Sequence, residues 1–269
     1  MGTGVVPGEG IMEADLEAGF RALAGGVPRG ELEAALLVAR WLDPVFSEEN
    51  VGAQLAGLAE GCGLASPWEF LSGLGFAGDT DRYDAPENSH LARVLERQTG
   101  IPISLAIVLI EVARRAGHTA IGLNFPGHFL VRVDDTLVDP FSMRPIDAAA
   151  AVAGLPEAHR HRSAGELFAS ADAPTIAFRM LTNLKNTFLR RSALHWAVEA
   201  LDGQIALMPD YPTMYVERGD LWLRLGNRSC ARTDFETGLA KAEDLNATAL
   251  VTELKNRLTG FPGEPTIVH

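Results

Sequence analysis

The chain has 269 residues and a mass of 28.8 kDa, enough for one large domain or two modest ones with a real hydrophobic core. Apolar residues make up 47% and charged residues 22%, which argues against wholesale disorder. A formal net charge of −12 and a pI near 5.0 argue against non-specific binding to nucleic acid or anionic lipid, because phosphate binding needs net basic surface.

That charge is graded along the chain. Residues 1–89 carry 4 basic and 15 acidic side chains, residues 90–175 carry 8 and 9, and residues 176–258 carry 11 and 10. The front acidity is expected on the solvated outer faces of helices. Cys62 and Cys230 lie far apart and lack metal-ligand spacing, so both are expected as reduced thiols. No signal peptide is recognised at the start, and the apolar stretch 101–113 is too short to span a bilayer. A cytoplasmic protein is expected, with no cofactor and no metal.

Residues 1–12 read as a flexible N-terminus. Leu16, Phe20 and Leu23 then recur at helical spacing over 13–23, and Leu32, Ala35, Leu36 and Ala39 repeat the pattern over 31–41. A third helix is expected over 47–59, capped by Ser47 and carrying Glu48 and Glu49 at its positive end. Within 83–100 a helix presents Leu91, Val94 and Leu95, with Gly100 as its expected stop. His90 beside it is expected at the surface or in the cap.

Pro102 suits the first turn of the next helix, where its missing N–H costs nothing. From Ile103 to Ala113 that helix is apolar almost all round, so 102–116 is expected to be the central, buried helix. The period then changes. Ile121, Leu123 and Phe125 alternate, 128–133 reads as a second strand, Asp134-Asp135 as a two-residue turn, and 136–139 as a third strand. That turn places Asp139 opposite Leu130 and diagonal to His128, within reach for an imidazole–carboxylate pair. An accidental pair at a polar strand end is the competing reading. His118 is expected to be exposed, His159-Arg160-His161 to hold no metal, and the glycine pairs to form no phosphate loop.

The runs ENSHLARVLERQTG, GIPISLAIVLIEVARRAG, NFPGHFLVRV and LVDPF closely resemble the transglutaminase-like superfamily of papain-like folds. They resemble more narrowly its bacterial SirB-type branch, in which such a core precedes tetratricopeptide-like repeats. The resemblance implies a triad of a cysteine opening the central helix, a histidine and an aspartate. His128 and Asp139 match the last two, whereas the cysteine position falls on Pro102. Proline cannot be a nucleophile. Ser104, two residues further on, is the weak substitute, and its plainer role is a hydroxyl bonding backbone in the first helical turn. Cys62 could reach the site only through an unforeseen tertiary contact.

Residues 147–175 read as a connector with short helices, and everything from 176 reads helical. Segments 178–209 and 212–243 resemble two degenerate tetratricopeptide-like hairpins, with Gly219, Trp222, Gly226, Ala231 and Phe235 in register in the second. Leu184, Ala197 and Pro209 keep that register in the first, where Lys185 and Ser192 replace glycines. A closing helix is expected over 247–258, and the repeats either bind a partner or brace the core.

The expected fold is α+β. It comprises a helical N-terminal layer with a papain/transglutaminase-like core over 13–146, a connector over 147–175, all-α tetratricopeptide-like repeats over 176–260, and a tail over 261–269. The core would be a central helix on a small antiparallel sheet. The expected function is a non-catalytic protein- or peptide-interaction module that binds neither nucleic acid nor membrane. The alternative is a cryptic hydrolase or acyl-transfer enzyme using His128 and Asp139 with an unconventional nucleophile such as Ser104 or a bound water. The sequence leaves the oligomeric state open.

Overall fold

A computed structural model describes residues 12–25 and 30–261. The expected flexible N-terminus, apart from Met12, and the expected tail, apart from Phe261, lie outside the described residues. The chain divides into two compact units; the described part of the first is 30–180, and that of the second is 12–25 with 181–261. The helices, taken in chain order, begin with α1 (Ala14–Ala24) in the second unit.

The first unit opens with α2 (Glu31–Leu42), α3 (Glu48–Cys62) and α4 (Pro67–Gly73). Ser47 caps α3 as expected, its Oγ accepting from the Asn50 N–H at 3.1 Å. There follow β1 (Ala77–Gly78), a 3-10 turn at Pro86–Ser89, α5 (Leu91–Arg97), β2 (Thr99–Gly100) and α6 (Pro102–Arg115). Every residue of α6 from Ile103 to Ile110 is buried, as are Val112 and Ala113, with α2, α3, α4, α5 and the sheet packed around it. Each such Leu, Ile or Val contributes about 1.5–3 kcal/mol by leaving water, which makes α6 the axis of the unit. Pro102 takes the first helical position, and Arg114 and Arg115 occupy the last turn, where cations complement the helix dipole.

The antiparallel sheet runs β3 (Ala120–Leu123), β4 (Leu130–Val133), β5 (Thr136–Asp139) and β6 (Arg144–Pro145), in that order. Val133 pairs with Thr136 and Val131 with Val138, so the Asp134-Asp135 turn sets the register read from the sequence. Two expectations change here. β4 begins at Leu130, which leaves His128 in the bend before it, and α5 ends with Gln98 in the left-handed region (φ 56°), so Gly100 is not the helix stop. Gly100 instead pairs with Gly78 across the short parallel β1–β2 ladder.

Three short helices, α7 (Ala148–Ala153), α8 (Glu157–Arg160) and α9 (Ala164–Leu167), fill the connector. Ala151, Leu155 and Leu167 pack on Leu123, Phe125 and Leu130, which covers the second face of the sheet. The acidic side chains of the front lie mostly at the surface, as expected, with Glu31 and Asp79 the buried exceptions among the described residues. Glu31 is buried and receives two Arg114 hydrogen bonds at 2.7 and 2.9 Å, while Arg114 Nε also donates to the Ala120 carbonyl. His90, expected at the surface or in the cap, stands at the N-cap of α5, but it is only 4% exposed and lies edge-on to Phe46 with centroids 5.2 Å apart.

α10 (Ala173–Arg190) begins in the first unit and ends in the second, which continues with α11 (Leu194–Leu207), α12 (Pro212–Arg224), α13 (Arg228–Asp244) and α14 (Thr248–Thr259). The α10–α11 and α12–α13 turns are built alike. Ser192 (φ 57°) and Gly226 (φ 81°) are left-handed and 34 residues apart. The hydrogen bonds Ala193 N–H to Phe188 O and Asn227 N–H to Trp222 O repeat at the same interval. α1 packs on α11, with the Met12 N–H donating to Asp202 Oδ2 at 2.9 Å. It therefore groups with the helical unit, not with the N-terminal layer expected on the core.

Candidate functional site

The turn after β5 is brought toward the start of α6. Backbone pairing carries the chain there in steps: Phe141 O accepts from the Gly78 N–H at 2.8 Å, and Gly100 O accepts from the Asp79 N–H at 3.0 Å. The turn after β5 thus runs beside β1, β1 runs beside β2, and β2 leads into α6 at Pro102. Phe141 lies so close over Gly78 that a Cβ there would be 2.1 Å from its ring, so any larger residue would have to push the ring aside.

Below this surface a polar network fixes the loop that precedes α5. Asp79, 6% exposed, accepts from the Arg82 N–H and from Arg97 Nη2, both at 2.8 Å. Burial works against its ionised form, but those donors and Asn88 outweigh it and hold the carboxyl below its usual range. Asn88 accepts from Arg97 Nη1 at 2.9 Å and donates to the Arg82 and Tyr83 carbonyls at 2.7 and 3.2 Å. Pattern reading from hydrophobic periodicity missed Asp79 and Asn88; the signal was the polar ENS run set against an apolar helix.

Ser104 belongs to this network. Its hydroxyl is fully buried, donates to the Asn88 carbonyl at 2.6 Å, and accepts from the Ile101 N–H at 3.2 Å. Its proton is directed at a carbonyl, and no imidazole bonds it, so it lacks the base a nucleophile needs. Cys62 donates to the Ala65 carbonyl at 3.4 Å, and burial pushes its thiol up, away from the reactive thiolate.

His128 and Asp139 are not joined by a hydrogen bond among the described residues. Asp139 Oδ1 accepts from the Phe141 N–H at 3.0 Å and Oδ2 from Ser142 Oγ at 2.7 Å, so both oxygens shape the turn into β6. The His128 ring is exposed, and its carbonyl accepts from Arg179 Nη2 at 2.9 Å. Arg179, which sequence reasoning left without a role in this region, also donates to Asn124 Oδ1 at 2.6 Å and lies 5.3 Å from the Phe129 ring centroid. Burial lowers its pKa.

His118 is held locally. His118 Nδ1 lies 2.8 Å from Asp134 Oδ2, and no group of three or more metal-ligating side chains is present among the described residues. No helix among the described residues is long and apolar enough to cross a membrane.

Known proteins bear on this geometry. The family model of the transglutaminase-like superfamily matches residues 69–182. A UPF0162 protein of Xylella fastidiosa is 40% identical over 173 residues, 60% of this chain and 61% of that one. The chain thus spans about three-fifths of that relative's length. A UPF0162 protein of Vibrio cholerae is 25% identical over 248 residues, 85% of this chain and 92% of that one. Mouse F-box only protein 21 is 28% identical over 165 residues, 57% of this chain and 26% of that protein. No solved structure matches the chain significantly. The α6 axis, the sheet and the loops bearing His128 and Asp139 all fall inside the stretch, residues 69–182, that is similar to the transglutaminase-like superfamily.

Proposed function

We propose that this chain is a non-catalytic protein- or peptide-interaction module of the bacterial cytoplasm, built on a transglutaminase-like core of the SirB type with tetratricopeptide-like helices after it. One observation carries the reading. The first position of α6, where the superfamily resemblance implies a cysteine, is Pro102, and the nearby Ser104 hydroxyl is spent on the Asn88 carbonyl and the Ile101 N–H. A helix N-terminus would stabilise a thiolate there, but proline offers neither a nucleophile nor the N–H that would help hold an oxyanion. His128 and Asp139 then serve as surface and turn residues. The 34-residue recurrence of the Ser192 and Gly226 turns supports the repeat reading of the C-terminal helices.

The test is labelling by an activated-ester acyl donor, read by intact mass on wild type, His128→Ala and Ser104→Ala. Equal labelling in all three is expected, with any background at the half-exposed Cys230 unchanged. Labelling that disappears in His128→Ala overturns the reading in favour of a cryptic acyl-transfer enzyme.

A further inference from the structure

Arg179 differs from Arg97 and Arg114 of the same unit. Arg97 is paired with Asp79 and Arg114 with Glu31, each at hydrogen-bond distance. Arg179 has no carboxylate partner among the described residues. It is nevertheless held firmly, by Asn124 Oδ1 at 2.6 Å, the His128 carbonyl at 2.9 Å and the face of Phe129. A guanidinium has five N–H donors, and these two bonds leave most of the fork open. Bracing the 124–128 loop needs donors but not a charge. A half-buried guanidinium with an open fork and no counter-ion is a ready partner for a bound anion.

Tyr83 supplies the second element. It is 48% exposed, its ring lies 6.1 Å from that of Phe141, and it is near enough to Arg179 for the two to interact electrostatically. No hydrogen bond engages its hydroxyl among the described residues. One guanidinium and one neutral hydroxyl match a single negative charge on a planar two-oxygen group better than they match a dianion.

We propose that the Arg179 guanidinium, with the Tyr83 hydroxyl beside it, is the anchor for a peptide carboxylate on the His128 side of the transglutaminase-like core. This rests on the interaction-module reading and names what that surface recognises. The carboxylate comes either from an Asp or Glu side chain or from a peptide C-terminus. Both present the same oxygens to the fork.

The experiment is an array of short random-sequence peptides probed with the full chain. Each sequence is made with its acids intact, with Asn and Gln replacing them, with phosphoserine replacing them, and with a free or an amidated C-terminus. Wild type, Arg179→Gln, Arg179→Lys and Tyr83→Phe are compared, with thermal melting to establish folding. Wild type is expected to keep the carboxylate forms, and Arg179→Gln to lose ~10-fold or more in affinity for them. Arg179→Lys should recover part of that loss, because the charge survives while the fork does not. Tyr83→Phe, which removes only a half-exposed oxygen, should weaken binding several-fold at unchanged melting temperature, so the anchor stays testable if Arg179→Gln misfolds. The acid-to-amide and C-terminal arms separate the two carboxylate sources. Peptides bound equally in acid and amide forms, with Arg179→Gln indifferent, overturn the anchor and leave the interaction reading standing. Preference for the phosphoserine forms overturns the carboxylate assignment. Failure to retain any peptide overturns the interaction reading, and the anchor with it.

Discussion

Gly100 faces Ser104 so closely that a Cβ on Gly100 would lie 2.7 Å from the serine Oγ and 3.1 Å from a Val94 methyl. The hydroxyl that closes the first turn of α6 therefore occupies the space a side chain would need. Gly100→Ala is expected to cost about 1–3 kcal/mol by overpacking. Ser104→Ala should cost a similar amount, about 1–3 kcal/mol, by stranding the Ile101 N–H and the Asn88 carbonyl. The double variant should be less destabilised than the two single losses combined, because removing Oγ opens the space that alanine needs. Urea unfolding of the four proteins checks this, and strict additivity would sink the argument.

Asp79 gives the loop before α5 a pH dependence. Its carboxyl is held below its ordinary value of 3.8, so the stability it contributes is fully present above that value and is lost as pH falls through the lower folded-state value. Asp79→Asn should remove this acid limb and leave Arg97 partly buried without its counter-charge, at about 3–5 kcal/mol. Denaturant midpoints measured from pH 6 down to about 2 test both parts. A variant that keeps the wild-type acid slope refutes the assignment.

What the sequence disclosed, and what it hid, follows from the range of the interactions. α6 was legible because its apolar residues surround the helix, a pattern only burial on all sides explains. The β4–β5 register was legible because a two-residue turn leaves one pairing. β1, β2 and β6 are two residues long, too short for a local period to announce them, and β1 and β2 pair across about twenty residues. Gly100 looked like a helix stop because glycine commonly is one, yet Gln98 takes the left-handed position and Gly100 serves close approach. In the site, His128, Asp139, Pro102 and Ser104 could be picked out by resemblance. Arg179 could not, because it reaches the His128 carbonyl from a helix 51 residues later.

His90 stands at the N-cap of α5 as one expectation had it, but its burial escapes a local reading for the same reason, since Phe46 covers it from outside its own helix. Neither ring nitrogen has a hydrogen-bond partner among the described residues, and burial lowers its pKa from the ordinary 6.5, against the opposing influence of Asp43. The folded protein thus keeps His90 neutral where the unfolded chain takes up a proton. Stability should fall as pH drops below about 6.5 and stop falling, on account of this group, below the folded-state value. His90→Phe should flatten that limb while keeping an aromatic contact with Phe46. Thermal melts between pH 5 and 8 would show it, and an unchanged slope would mean that another group is responsible.

In the helical unit, Arg218 occupies the position where removing a single partner does most harm. Its guanidinium donates to Asp202 Oδ1 at 2.6 Å and to both Asp234 oxygens at 2.6 and 2.9 Å, tying α12 to α11 and α13. Burial opposes the charge on Arg218, but the two carboxylates more than offset it and raise its pKa. Arg218→Met keeps much of the side-chain volume but leaves Asp202 and Asp234 buried without their cation, at about 3–5 kcal/mol. Replacing all three residues by apolar ones of similar size should recover most of that loss, since buried ion pairs contribute little beyond apolar packing. Asp202 also accepts the Met12 N–H, so the single variant carries a local signature. Hydrogen exchange at Met12 and along α1 should accelerate in Arg218→Met more than exchange in α6, which belongs to the other unit. Uniform acceleration across the chain would mean that the triad sets global stability and does not hold α1 in particular.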